Sequence, residues 1–366
     1  MMVLRPFCSD PGSTKSPSKI QHNSNSFKQK ADLQTSTPDV DKSISNNLKS
    51  FTFNDLKVAT KKFRKENLIG EGVFGFVYKG WIDENTYAPA KPGTGVIVAV
   101  KKLKPESFQG HKQWLAEVNY LGRFHHQNLV KLIGYCSDGK NRLLVYEFME
   151  KGSLENHLFG SVQPISWVTR MNIAIDVAKG VAFLHTLHPK VTYGDLKASN
   201  ILLNSDFNAK LSDFGFTRDS GDSTHAAGGH NGLRHSYVAP EYLATGRLTR
   251  RSDVYIFGAT LLELLTGRRI VEDERRGFSE ETLVDWAKPL LSDSARVLEI
   301  IDSRLGDQYS KKEAQTASAL ALQCLNANPK NGPLMVDVVA ALEALKSECD
   351  ATKHPSHSIK SFENSN

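Results

Sequence analysis

The sequence has little cysteine, no long apolar run and no strong excess of either charge, and each shortage removes a class of protein. Among its 366 residues the four cysteines, Cys8, Cys136, Cys324 and Cys349, are scattered, with neither a C-x-x-C pair nor the spacing of a disulfide framework. Structural thiols in a reducing compartment are the expectation. Apolar runs such as residues 96–100 and 338–342 fall far short of the ~18 consecutive residues that span a bilayer, so no transmembrane segment is expected. The net charge of +6 is mild and both signs are interspersed, which argues against a dedicated nucleic-acid binder. Glycine is absent from position 2, where N-myristoylation requires it, and the opening residues are too short and too polar downstream to read as a secretory signal. Cys8, beside Arg5 and Phe7, is a candidate for acylation. No internal repeat is present.

What is there suits a soluble globular chain with more than one core, 40% of its residues being apolar. Residues 1–50, rich in Ser, Asn, Gln, Lys and Pro, lack the apolar pattern that would offset the entropy of ordering and are expected to be a disordered tail. From Phe51 an apolar pattern begins. Strand-like runs at 68–69, 76–78 and 96–100, broken by glycine and proline, predict an antiparallel sheet, and residues 110–123 predict a helix with Trp114, Leu115, Val118 and Leu121 on one face. Residues 129–133 and 143–148 predict two more strands. Helical spacing then dominates, at 170–185, 253–265, 316–325 and 336–345, and a polar tail follows from about 347. The expected organisation is a sheet-rich unit at 51–148, a helical unit at 149–346, and disordered tails at 1–50 and 347–366.

Gly70-Glu71-Gly72-Val73-Phe74-Gly75-Phe76-Val77 matches G-x-G-x-x-G-x-V between two predicted strands. Glycines there let the backbone fold over phosphates and present its amides. Alone the motif is weak, since a glycine-bearing turn or a dinucleotide fingerprint also fits. The dinucleotide reading fails because the motif opens onto a strand where that fold needs a helix. Lys101 ends the apolar strand Val98-Ala99-Val100, where an unpaired ammonium would be costly to bury. Glu117, on the next predicted helix, is its expected partner, leaving Lys101 able to reach phosphate oxygens. Downstream, Tyr193-Gly194-Asp195-Leu196-Lys197-Ala198-Ser199-Asn200 precedes Asp213-Phe214-Gly215, with 201–203 and 209–211 as a hairpin between them. In this series Asp195 is the expected catalytic base and Lys197 the charge that neutralises a transferring phosphoryl group. Asn200 and Asp213 are the expected Mg²⁺ ligands.

These motifs, with Ala239-Pro240-Glu241 and Ser252-Asp253-Val254-Tyr255, resemble the eukaryotic protein kinases. More narrowly, Phe51-Thr52-Phe53-Asn54-Asp55-Leu56, Lys91-Pro92-Gly93-Thr94-Gly95, Leu143-Leu144-Val145-Tyr146-Glu147-Phe148-Met149 and Gly152-Ser153-Leu154-Glu155-Asn156-His157-Leu158-Phe159 resemble plant receptor-like cytoplasmic kinases of subfamily VII, over roughly residues 51–345. The resemblance implies an α+β bilobal fold, with a small antiparallel-sheet N-lobe carrying one helix and a larger, mainly helical C-lobe. It implies ATP and Mg²⁺ as cofactors and a protein Ser or Thr hydroxyl as substrate. It makes Tyr146 the gatekeeper and Glu147 to Met149 the adenine hinge, with Ile69 beside the glycine loop at the nucleotide. It also implies a receptor-like kinase or immune receptor complex as partner. The location implied is cytoplasmic, with peripheral attachment at the plasma membrane left open.

Three departures concern one region. Gly194 stands where many kinases carry an arginine for a phosphorylated activation segment, so phosphate there would gain no partner at this position. Leu233-Arg234-His235-Ser236-Tyr237 lacks the threonine that bonds the catalytic aspartate, and Arg234 is a candidate to pair with Asp195 instead. Gly332 replaces the arginine expected to pair with Glu241, and an unpaired Glu241, if buried, would cost a few kcal/mol. Ser220, Ser223 and Thr224 are candidate phosphoacceptors. The expectation is retained chemistry with altered regulation; the alternative is a nucleotide-binding pseudokinase acting as scaffold or decoy.

Overall fold

The computed structural model describes residues 48–72, 74–104, 108–188, 191–214, 217–218, 239–270 and 282–353. The sheet is built from β1 (Lys49–Ser50), β2 (Leu68–Gly72), β3 (Gly75–Ile82), β4 (Val96–Leu103), β5 (Leu132–Cys136) and β6 (Leu143–Glu147), in the order β1-β5-β6-β4-β3-β2. All pairings are antiparallel except β1 with β5, which is parallel.

β4 lies between β3 and β6, and the two-residue period of a strand divides its side chains between the faces. Val98 and Val100, with Leu143 and Val145 of β6, bury against Phe51, Leu56 and Ile82. That face is covered by α1 (Phe53–Ala59), which Thr52 starts through a capping box with Asp55. The opposite face turns Lys101 and Leu144 toward α2 (Phe108–Leu121), whose Trp114, Val118 and Leu121 join the main core. Strand alternation therefore delivers Lys101 to the cleft side of the sheet.

The rest of the described residues are mainly helical, around a short three-stranded sheet and a two-stranded one. β7 (Gly152–Ser153) leads into α3 (Leu154–Leu158) and α4 (Trp167–Thr186); β8 (Val191–Thr192), β9 (Ile201–Leu203), β10 (Ala209–Leu211) and β11 (Thr217–Arg218) follow. β10, β9 and β7 pair antiparallel, so the expected hairpin at 201–203 and 209–211 forms. Next come α5 (Pro240–Thr245), α6 (Arg250–Thr266), α7 (Leu283–Leu291), α8 (Lys311–Cys324) and α9 (Met335–Lys353). In α6 every residue from Ser252 to Thr266 is buried, the condition of a helix surrounded by core on all sides. Arg170 of α4 is fully buried beside it and is satisfied there: it donates to Ile165 O at 2.9 Å, Leu264 O at 2.8 Å and the Asp302 carboxylate at 2.6 Å.

Several boundaries differ from the sequence expectation. Leu48 is buried and Lys49–Ser50 form an edge strand, so order begins before residue 51. The strand expected at 129–133 lies at Leu132–Cys136. Leu129 and Val130 are buried ahead of it, where Leu129 forms an isolated parallel bridge with Leu211, which is why they look like strand residues. α4 starts at Trp167, three residues early, because the Ser166 hydroxyl caps it by accepting from Thr169 N. α9 runs on to Lys353, past the boundary expected at 346. No helix among the described residues is long and apolar enough to cross a membrane. Cys136 and Cys324 are buried free thiols.

Candidate active site

The glycine loop spans the β2–β3 connection, with Gly70 opposite Val77 and Gly72 opposite Gly75; Val73 lies outside the described residues. Its glycines are there for different reasons. A Cβ on Gly75 would meet Lys102 O at 2.3 Å, so the neighbouring strand demands glycine. A Cβ on Gly72 would meet nothing within 4 Å. Packing does not require glycine there, and the bare backbone leaves room that a side chain would fill.

Below this loop, Lys101 Nζ lies 3.1 Å from Glu117 Oε1 and 2.5 Å from Asp213 Oδ1. Glu117 also accepts a hydrogen bond from the Tyr146 hydroxyl. Burial alone would push the Lys101 ammonium down, yet the carboxylates of Asp213 and Glu117 hold it above its ordinary value. Lys101 in turn draws Asp213 below the usual carboxylate range, while burial pushes Glu117 up. The two carboxylates thus favour the charged ammonium. Asp213 adopts φ +49°, an uncommon backbone conformation for a non-glycine residue and one that concentrates at functional sites.

The catalytic-loop residues converge on Asp195. Its carboxylate accepts from Lys197 Nζ at 2.9 and 3.1 Å and from Asn200 Nδ2 at 2.9 Å. Asn200 Nδ2 also donates to Asp195 O, so both donor hydrogens point back at Asp195 and Oδ1 is left as an acceptor. Burial raises the Asp195 carboxyl against the opposing pull of Lys197. Among the described residues no three His, Cys, Asp or Glu side chains group as a metal cage. Asn200 and Asp213 offer two oxygens, the number that suits Mg²⁺ when phosphate and water complete the shell.

Other residues fix this loop, and sequence reasoning assigned them no role. Asp253 of α6 accepts from Tyr193 N and Gly194 N, each at 2.9 Å, and from His185 Nε2 at 2.8 Å. Its signal in the sequence is its place in the Ser252-Asp253-Val254-Tyr255 motif. The Tyr193 ring is buried edge-on to Phe214, its hydroxyl donating to Ser212 O. Gly194 has φ +79°, where glycine bears no steric cost, so this position has a backbone reason for glycine besides the absent arginine.

The Glu147 side chain pairs with Lys210 at 2.7 Å and accepts from Lys131 N, so its place in the expected adenine hinge rests on its backbone. Met149 is buried next to it. Glu241 is not unpaired. It is only half-buried and accepts from Ser252 Oγ at 2.8 Å, so the predicted burial cost does not arise. The pairing of Arg234 with Asp195 and the candidate acceptors Ser220, Ser223 and Thr224 lie outside the described residues. Ile69 is half-exposed at the start of the loop.

Comparison with known proteins agrees with this geometry. Residues 63–342 match the family described as protein tyrosine and serine/threonine kinase. The probable serine/threonine-protein kinase PBL3 of Arabidopsis thaliana is 56% identical over 326 residues, covering 88% of this chain and 76% of the relative. The serine/threonine-protein kinase BIK1 of the same plant is 55% identical over 304 residues, 82% and 76% of the two chains. Receptor-like cytoplasmic kinase 176 of Oryza sativa subsp. japonica is 53% identical over 320 residues, 86% and 80%. With a family match over most of its length and relatives at this level of identity, the chain belongs to the protein kinases, and within them to the plant receptor-like cytoplasmic kinases of subfamily VII.

Proposed function

We propose that the serine/threonine kinase activity of this family member runs on Asp195, Lys197, Asn200, Asp213 and Lys101 in the roles their surroundings suit, with ATP and Mg²⁺ as cofactors. The observation that carries this reading is the convergence of Lys101, Glu117 and Asp213 within hydrogen-bond distance at the mouth of a bare glycine loop. When bound, MgATP supplies the phosphoryl group. Lys101, kept charged by its two carboxylates, would neutralise phosphate oxygens, and Asn200 Oδ1 with Asp213 would hold the metal. The backbone around Gly70, Glu71, Gly72, Phe74 and Gly75, with Ile69, Phe76 and Val77, would cover the nucleotide, and the backbone from Glu147 to Met149 would meet the adenine. Asp195 would orient the substrate hydroxyl and take up its proton. Lys197, already beside that carboxylate, balances charge as it transfers.

The substrate is a protein hydroxyl, and the upstream partner we infer is a receptor-like kinase or immune receptor complex. The place of action is the cytoplasm, with peripheral contact at the plasma membrane. No observation favours the pseudokinase alternative. The deciding experiment is transfer of labelled phosphate from MgATP by the purified protein to itself and to a generic basic protein substrate, compared with Asp195→Ala. Strong transfer by the native protein and none by the variant is expected; equal background from both overturns the assignment. A MgATP-dependent rise in melting temperature despite equal background would leave nucleotide binding without catalysis.

A further inference from the structure

On the C-lobe, a cleft of about 920 Å³ opens where the end of α4, α5 and the first turns of α6 and α9 meet. Its lining is mixed. Val254, Met335 and Leu334 supply apolar surface, with Leu334 and the adjoining Val336 about half exposed. Around them stand four cations, Arg247, Arg250, Arg251 and Lys330, against one carboxylate, Glu241. Arg250 donates to His185 O at 3.1 Å, and Arg251 donates to Gly332 O at 2.5 Å and Pro333 O at 3.0 Å. Those partners are neutral carbonyls, and none of the four cations meets a carboxylate among the described residues. Glu241 is held by the Ser252 hydroxyl and leaves the cationic excess in place.

Gly332 lies between the lining residues Lys330 and Leu334. A Cβ there would come no closer than 3.9 Å to Pro329 O and Val254 Cγ1, and its φ lies outside the left-handed region, so neither packing nor backbone requires glycine. A side chain at 332 would start beside Val254 and Pro329, both of which line the cleft.

The geometry points to a docking site for an acidic segment of a partner protein that carries a bulky apolar residue. The volume lies within the range that binds short ligands. A purely polar polyanion would leave the apolar floor uncovered, and an apolar ligand would leave four cations facing it without counter-charge. An acidic peptide with an apolar anchor satisfies both, its carboxylates pairing with guanidinium groups that are already oriented by their carbonyl contacts.

The test is fluorescence anisotropy with the full chain and a labelled decapeptide in which one leucine is flanked by glutamates. Saturable binding that weakens with salt is expected, with affinity falling about tenfold or more when Arg247→Glu is combined with Lys330→Glu. Replacing the leucine by serine weakens the peptide severalfold, and Gly332→Arg weakens binding by filling the cleft. MgATP affinity, unchanged in every variant, shows that each remains folded. Absence of saturable binding overturns the proposal, as does equal affinity for the native protein and Gly332→Arg. Competition by inositol hexakisphosphate together with indifference to the leucine would also overturn it, in favour of a small polyanion.

Discussion

Lys101 and Glu241 are both charges that the kinase fold expects to see paired, and this protein treats them in opposite ways. Lys101 is buried and closed in by Glu117 and Asp213, with Tyr146 bonded to the far oxygen of Glu117. Glu241 is half-exposed, has lost the arginine expected at 332 and is held by one serine hydroxyl. The difference teaches what pairing is for. A charge removed from water needs an opposite charge and saturated hydrogen bonds, because its desolvation is not otherwise recovered. A charge still reached by water needs only a donor that fixes its position. The nucleotide side of the molecule is therefore intolerant of loss, while the Glu241 corner accepts a glycine.

The contrast can be put under strain, starting where the effect is largest. Asp195→Ala should lower kcat by about 10² to 10⁴-fold, measured as phosphate transfer or ADP release, with MgATP affinity largely kept. Lys101→Met should abolish MgATP binding and, by stranding Glu117, cost about 3–5 kcal/mol in denaturant unfolding. Glu117 already has its folded-state pKa raised, so its charged form is disfavoured in the fold. Without Lys101 the deficit should grow as pH rises through that elevated value and shrink in acid.

A second closed cluster offers an independent check. Asp302 is buried against Arg170 and Arg304; burial would raise its carboxyl, but hydrogen bonds from both arginines hold it down at about 2. A depressed value stabilises the fold above the ordinary carboxylate pKa and loses that contribution as pH falls from about 4 toward 2, a loss of roughly 2 kcal/mol. Thermal unfolding across that window should show the limb in the native protein, provided the rest of the fold survives, and Asp302→Asn should flatten it.

Smaller effects belong to the glycines. Gly194→Ala, placed at φ +79°, should lose about 1 kcal/mol of stability through backbone strain. Gly332→Arg, at an ordinary φ and beside a water-accessible carboxylate, should gain at most about 1 kcal/mol in unfolding experiments. A gain rivalling the loss in Lys101→Met would show that Glu241 is as dependent on a partner as Lys101, and would erase the distinction.

Much of the fold was legible because its signals are local. The apolar β4 run and the apolar spacing of α4 and α6 lie within one element each. β1 was missed because two residues carry no period, and its pairing with β5 depends on chain 80 and more positions away. Leu129 blurred the next strand for a related reason: it is buried and bridged to Leu211, 82 positions away, without belonging to β5. At the site, Lys101, Glu117, Asp195, Lys197, Asn200 and Asp213 could be named in advance because they sit in or beside short motifs that resemble those of the protein kinases. The tie of Glu147 to Lys210 could not, since nothing in either residue's neighbours marks the other.

By itself, then, the sequence determined the kinase fold and named its candidate nucleotide and metal groups, since motif spacing and periodicity are properties of the chain read in one dimension. Only the tertiary structure decided that Asp213 closes on Lys101 from 112 positions away, and that Asp253 pins the amides of Tyr193 and Gly194. It also decided that Glu241 rests on Ser252 while four cations are left around an open cleft. Those outcomes depend on which faces of separate elements meet and how much water remains between them, and burial of that kind is set by packing in three dimensions.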